Sequence, residues 1–218
     1  MTGMTLIVLL WAAAPAAYLR YRNRMGAVTA VAIVATLPVI WLLGLQRVAV
    51  HTPQYVDGVA LRIVQPNISQ DDKWRADNAS RIFDDLLAFS RAPARDGRVP
   101  SHIIWPESAV PFLLDESDGG RTALAQTLGA GQMLMTGAIR RARPDPSAEY
   151  FTSILVFDDA SHLFSTYDKW RLVPGGEFLP FAWLLEPIGF QRLVSLPGSF
   201  AAGTGPKSLE IPGAGRAG

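Results

Sequence analysis

Two short stretches of this 218-residue chain carry side chains that could do chemistry. The first is Trp105-Pro106-Glu107-Ser108, a carboxylate set immediately after the apolar run His102–Trp105 and released from it by a proline. Ligands of α/β sheets gather beyond the carboxyl ends of strands, so Glu107 is placed as a strand-end acid or base. A solvated loop glutamate, or one capping the next turn, has the same local signature. The second stretch is Tyr167-Asp168-Lys169-Trp170-Arg171-Leu172-Val173-Pro174-Gly175-Gly176-Glu177-Phe178-Leu179-Pro180. Charged side chains here alternate with bulky apolar ones and then meet a Pro-Gly-Gly bend, as a loop must when it holds polar groups in a partly dry pocket. Taken singly, Lys169 and Glu177 equally read as surface charges.

What is missing narrows the chemistry. The chain has no cysteine, so disulfides, thiolate metal sites and a cysteine nucleophile are excluded within these 218 residues. His51, His102 and His162 lie far apart without ligand spacing, and each reads as a surface or strand-edge residue. Neither a metal nor an organic cofactor is implied. A net charge of +1 with no clustered Lys and Arg after the first fifty residues argues against nucleic acid as a partner.

The elements that must position these groups fall into two parts. Arg20, Arg22, Arg24 and Arg47 are the only formal charges in residues 1–50, while the remainder holds 16 basic and 19 acidic residues. Met25–Gln46 is a 22-residue uncharged run, long enough as a helix to extend about 33 Å and cross a bilayer. Met1–Leu19 reads as a second crossing rather than a cleaved signal, because it lacks a basic start and another long apolar run follows. Pro38 is tolerable in such a helix when neighbours satisfy the freed carbonyl. Residues 51–58, with Pro53 and Gly58, read as a linker. From residue 59 the pattern alternates: a strand over Val59–Gln65, a helix over Asp71–Ser90, a strand at His102–Trp105, a helix over Gly120–Leu128 and a strand over Gln132–Ile139. A charged excursion over Arg140–Ala148 comes next, then paired strands Ser153–Phe157 and His162–Tyr167 about an Asp-Asp-Ala-Ser turn. Interleaved strands and helices predict an α/β layered fold.

Together W-P-E-S at Trp105–Ser108, Y-D-K-W-R-L-V-P-G-G-E-F-L-P at Tyr167–Pro180 and V-Q-P-N-I-S-Q-D-D-K-W at Val64–Trp74 resemble the nitrilase (carbon-nitrogen hydrolase) superfamily. Within it they resemble the apolipoprotein N-acyltransferase family. The resemblance runs from about Leu6 to the end of the chain. It implies an α-β-β-α sandwich, here incomplete over residues 59–218 and preceded by transmembrane helices, with catalytic groups drawn from separate loops.

Position by position, the resemblance makes Glu107 the general base, Lys169 the catalytic lysine, Glu177 a supporting glutamate beside it and Trp74 a residue of the substrate entrance. The family's cysteine is expected beyond Gly218, so the chain reads as a fragment that stops before its nucleophile and is inactive alone. The implied reaction transfers a fatty acyl chain through a thioester, in lipoprotein maturation. The donor is a phospholipid, and the acceptor is the N-terminal amine of a diacylglyceryl-modified apolipoprotein. The implied setting is a bacterial inner membrane. The arginines of R-Y-R-N-R keep that loop cytoplasmic, which puts the catalytic domain on the periplasmic side. A membrane-tethered amidase, or a non-catalytic fragment that only binds, would share the same core motifs.

Overall fold

The computed structural model describes residues 2–52, 54–73, 75–94, 96–142, 149–174, 177 and 200–217. The chain divides into two compact units, Met1–Tyr55 and Val56–Gly218.

The first unit is a pair of helices, α1 (Thr2–Tyr21) and α2 (Arg24–Val50). Arg22 at φ 40 and Asn23 at φ −131 break the helix between them, and the Asn23 side chain accepts the Gly26 N–H at 2.9 Å. This is the ordinary N-cap arrangement, in which a short polar side chain satisfies a donor the helix cannot. Trp11 Nε1 in α1 donates to Thr36 Oγ1 in α2 at 2.8 Å. Most of the surface is aliphatic and exposed, including Val28, Val31, Trp41 and Leu42. Both helices are long and apolar enough to cross a membrane by length and composition.

The second unit is built on a five-stranded sheet ordered β1 (Leu61–Ile63), β2 (His102–Ile104), β3 (Met133–Arg141), β4 (Tyr150–Phe157) and β5 (Leu163–Asp168). The first three strands run parallel and the last three antiparallel. Between the strands lie α3 (Gln70–Lys73), α4 (Ala79–Arg91) and α5 (Asp118–Ala125). Alternation along β3 sorts its residues: Leu134 and Ala138 join Ile82, Phe83, Leu86 and Leu87 of α4 in one core, while Met133 and Met135 face the other side. That other side is covered in part by the hairpin β6 (Leu209–Ile211) and β7 (Gly215–Ala217), through Leu209 and Ile211 against Val156 and Tyr167. The described layers are therefore helix, sheet and a second two-stranded sheet, a mixed α/β fold.

Three expectations need correction. The helix expected over Asp71–Ser90 is interrupted: α3 ends at Lys73, a 3-10 turn spans Ala76–Asn78, and α4 begins at Ala79. Ser69 Oγ takes the Asp72 N–H and so caps the start of α3, while Asn78 Nδ2 donates to the Asp72 carbonyl, diverting an acceptor that a continuous helix would need. His102 is not a surface or edge residue but is 3% exposed. Its strand β2 lies between β1 and β3, its Nδ1 meets Ser101 Oγ at 2.8 Å, and its Nε2 donates to the Pro212 carbonyl at 2.9 Å. The Arg140–Ala148 excursion starts later than expected, β3 running on to Arg141, and residues 143–148 lie outside the described residues.

Candidate functional site

Glu107 is delivered by the end of β2. Trp105 is anchored in the core by its Nε1–H donated to Ser90 Oγ at 2.9 Å and by edge contact with Phe83. Pro106 then removes the donor that would continue the ladder. The following turn hugs β3: the Ala109 N–H donates to the Gly137 carbonyl at 2.8 Å, and Ser108 adopts φ 48. Gly137 permits this approach, since a Cβ there would lie 2.5 Å from Glu107 Cα and 2.8 Å from the Pro106 oxygen.

Lys169 is the first residue beyond β5. Its N–H donates to the Thr152 carbonyl at 2.8 Å, and its own carbonyl accepts the Gly203 N–H at 2.9 Å, so its backbone is held on both sides. Its ammonium lies 3.3 Å from Glu107 Oε1 and 3.0 Å from Glu177 Oε1. Glu177 is the more enclosed carboxylate, its side chain 12% exposed against 69% for Glu107. It is fixed by the Thr152 hydroxyl at 3.0 Å and by the Val173 N–H at 2.8 Å.

The electrostatics follow from this packing. Burial works against the Lys169 cation, but the hydrogen bond to Glu177 and the charges of Glu107 and Glu177 outweigh it and hold the amine above its ordinary value. Burial likewise opposes the Glu177 anion, and the Val173 N–H, Lys169 and Thr152 more than offset it, holding the carboxyl below the usual range. Lys73 approaches from α3 and donates to the Glu107 carbonyl oxygen at 3.0 Å, with burial pushing its amine down against the pull of Glu107.

Beside the cluster opens a cavity of about 370 Å³, lined by Ile104, Trp105, Met135, Gly137, Ile154 and Tyr167, with Glu107 and Lys169 at its polar edge. The arrangement can take a proton at an exposed carboxylate, stabilise an oxyanion at a fixed ammonium, and keep an apolar group beside both. Among the described residues no group of His, Asp and Glu is arranged to hold a metal ion.

Of the residues singled out by sequence, Glu107, Lys169 and Glu177 are brought together, and Trp74 lies outside the described residues. Sequence reasoning missed Thr152, Gly137 and Lys73. Lys73 lies within the quoted V-Q-P-N-I-S-Q-D-D-K-W stretch, where a charge next to Trp74 was the available signal. Thr152 and Gly137 gave none, because their roles arise from strand pairing.

No protein-family model matches the chain. It is 41% identical over 158 residues to an apolipoprotein N-acyltransferase of Brucella suis, covering 70% of this chain and 29% of that protein. It is 36% identical over 221 residues to one of Bradyrhizobium diazoefficiens, covering 97% of this chain and 41% of that protein. The chain thus spans well under half the length of these curated relatives. Among solved structures it is similar to a mutant of the amidase from Nesterenkonia sp. AN1, at 11% identity and a TM-score of 0.42 over 76% of this chain and 56% of that one.

Proposed function

The chain belongs by sequence homology to the apolipoprotein N-acyltransferase family, and on that premise we propose that Glu107, Lys169 and Glu177 are the acid/base and oxyanion machinery of lipoprotein N-acylation. The observation that carries the reading is the Lys169 ammonium held between a mostly exposed and a largely enclosed carboxylate at the edge of an apolar cavity.

The reaction runs in two steps through a thioester, because an amine attacks an ester slowly and a thiol splits the barrier. A thiol gives its proton to Glu107, and the thiolate attacks the phospholipid ester carbonyl. The C–S bond forms, the C–O bond breaks, and Glu107 returns the proton to the departing alcohol. In the second step the apolipoprotein amine attacks the thioester. The C–N bond forms, the thiolate leaves, and Glu107 takes the amine proton. Lys169 faces the oxyanion of both tetrahedral intermediates, a contribution of roughly 3–4 kcal/mol in comparable sites. Glu177, anchored by Thr152 and Val173, holds Lys169 in place. The thiol comes from outside these 218 residues, which contain no cysteine.

Both substrates are lipids, so the site works at a bilayer. Residues 1–50 supply two crossings and residues 51–58 a linker, with the domain from residue 59 on the periplasmic side of a bacterial inner membrane. The test is to express the whole coding frame that carries these residues and follow transfer of a labelled acyl chain from phospholipid to a diacylglyceryl peptide. Glu107→Gln and Lys169→Ala are each expected to abolish the thioester-linked acyl-enzyme. Undiminished labelling in either variant removes that residue from the mechanism.

A further inference from the structure

The alternation of β5 sends Tyr167 and Lys169 to the cavity and Asp168 to the opposite, helix-bearing face. There Asp168 accepts a fork of two bonds from Arg140, at 3.1 Å from Nε and 2.8 Å from Nη2, and a third from Ser153 Oγ at 2.6 Å. Arg140 belongs to β3, Ser153 to β4 and Asp168 to the last position of β5, so one carboxylate laces three strands at the point where the ladder stops. The pair is largely enclosed, with side chains 20% and 22% exposed, and the Arg140 guanidinium also lies 5.0 Å over the Phe151 ring. The segment at Gly203 closes over the same point: its N–H binds the Lys169 carbonyl, and a Cβ on Gly203 would lie 2.2 Å from the Asp168 carbonyl oxygen. Burial opposes the Asp168 anion, but Arg140 and Ser153 outweigh it and keep the carboxyl ionised below its usual range.

We propose that Asp168, clamped by Arg140 and Ser153, is a positioning residue that fixes the end of β5 so that the Lys169 ammonium stands between Glu107 and Glu177. Strand ends fray at little cost unless tied. A lysine reaching from a strand end that frayed would spread its charge over several rotamers rather than meet both carboxylates. A bidentate Arg–carboxylate pair restricts geometry as well as supplying attraction, which is what this place in the sheet needs. The effect on catalysis rests on the acyl-transfer reading above, while the effect on Lys169 itself does not.

The experiment uses the whole membrane protein with Asp168→Asn, Arg140→Lys, Asp168→Ala, Arg140→Ala and the double alanine variant. Misplacement by about 1 Å can cost about a hundredfold, so kcat is expected to fall ten- to hundredfold in Asp168→Asn with KM unchanged. Arg140→Lys, which keeps the charge and loses the fork, is expected to fall between. The double alanine variant is expected to be no slower than the worse single one, because the pair acts as a unit. Losses that multiply, or a kcat left intact, overturn the proposal. Reductive 13C-methylation supplies the readout independent of acyl transfer: the dimethyl-Lys169 resonance is expected to change its titration in Asp168→Asn, and an unchanged curve overturns the proposal. If the wild-type protein transfers no acyl chain while that resonance still responds, acyl transfer fails and the positioning role stands.

Discussion

Adding one methyl group at Gly137 tests whether the strand-end turn really sets the distance between Glu107 and Lys169. A Cβ on Gly137 would meet three backbone atoms: Glu107 Cα at 2.5 Å, the Pro106 oxygen at 2.8 Å and the Ser108 nitrogen at 3.0 Å. None can rotate away as a side-chain tip could. Restoring a 3.4 Å contact from 2.5 Å requires the turn to recede by about 0.9 Å. β3 is the less able to yield, since Gly137 is paired with Ile154 inside a three-strand antiparallel ladder. The Glu107–Lys169 contact is 3.3 Å to begin with, close to the limit of a hydrogen bond. Carried along that line, the recession lengthens it to about 4.2 Å, beyond hydrogen-bond range.

Gly137→Ala is therefore expected to lower kcat about a hundredfold, and to cost about 1–3 kcal/mol of stability through overpacking. The assay is steady-state acyl transfer by the whole protein in detergent, with the folded fraction measured in parallel by thermal melting. A variant that keeps wild-type kcat per folded molecule refutes the reasoning, because it would mean that the turn does not set the position of Glu107.

Two further outcomes follow from the same geometry. Thr152→Val preserves shape and removes the hydroxyl that donates to Glu177 Oε1; hydrogen bonds to charged groups contribute about 1.5–3 kcal/mol. The variant is expected to lose about tenfold in kcat and a few degrees in melting temperature, and an unchanged kcat would leave Glu177 held by Val173 and Lys169 alone. The pH dependence has a definite sign at each end. Glu177 is depressed below 4.5, so its contribution is complete above that value and is lost as pH falls through the lower folded value. Lys169 is raised above 10.5, so its contribution is complete below that value and is lost only as pH rises through the higher folded value. Stability measured by chemical denaturation is expected to show no contribution from this pair to its pH dependence between those limits. A Lys169→Met variant that changed the slope near pH 7 would contradict that.

The sequence by itself determined the elements whose cause is local. A long uncharged run makes an apolar helix wherever it lies, a proline after an apolar run ends a strand, and Glu107 therefore sits at a strand end whatever surrounds it. Asn23 capping α2 and the break before α4 belong to the same class, being decided by side chains a few residues from the backbone they bind. The sequence also marked Lys169 and Glu177 as charges in a loop of unusual composition.

Only the tertiary structure decided what those charges meet. Lys169 and Glu107 are 62 residues apart, and their contact depends on β3 and β4 being inserted between their strands in a sheet order that local pattern does not specify. Thr152 and Gly137 become part of the site through pairing register, which sets a residue opposite its partner irrespective of its own type. His102 is buried because a hairpin 110 residues later closes over it with the Pro212 carbonyl. Local propensity fixes which backbone bonds a segment can make. Which distant side chains then share a dry corner is set by the packing of apolar faces against one another, and that is a property of the whole sheet.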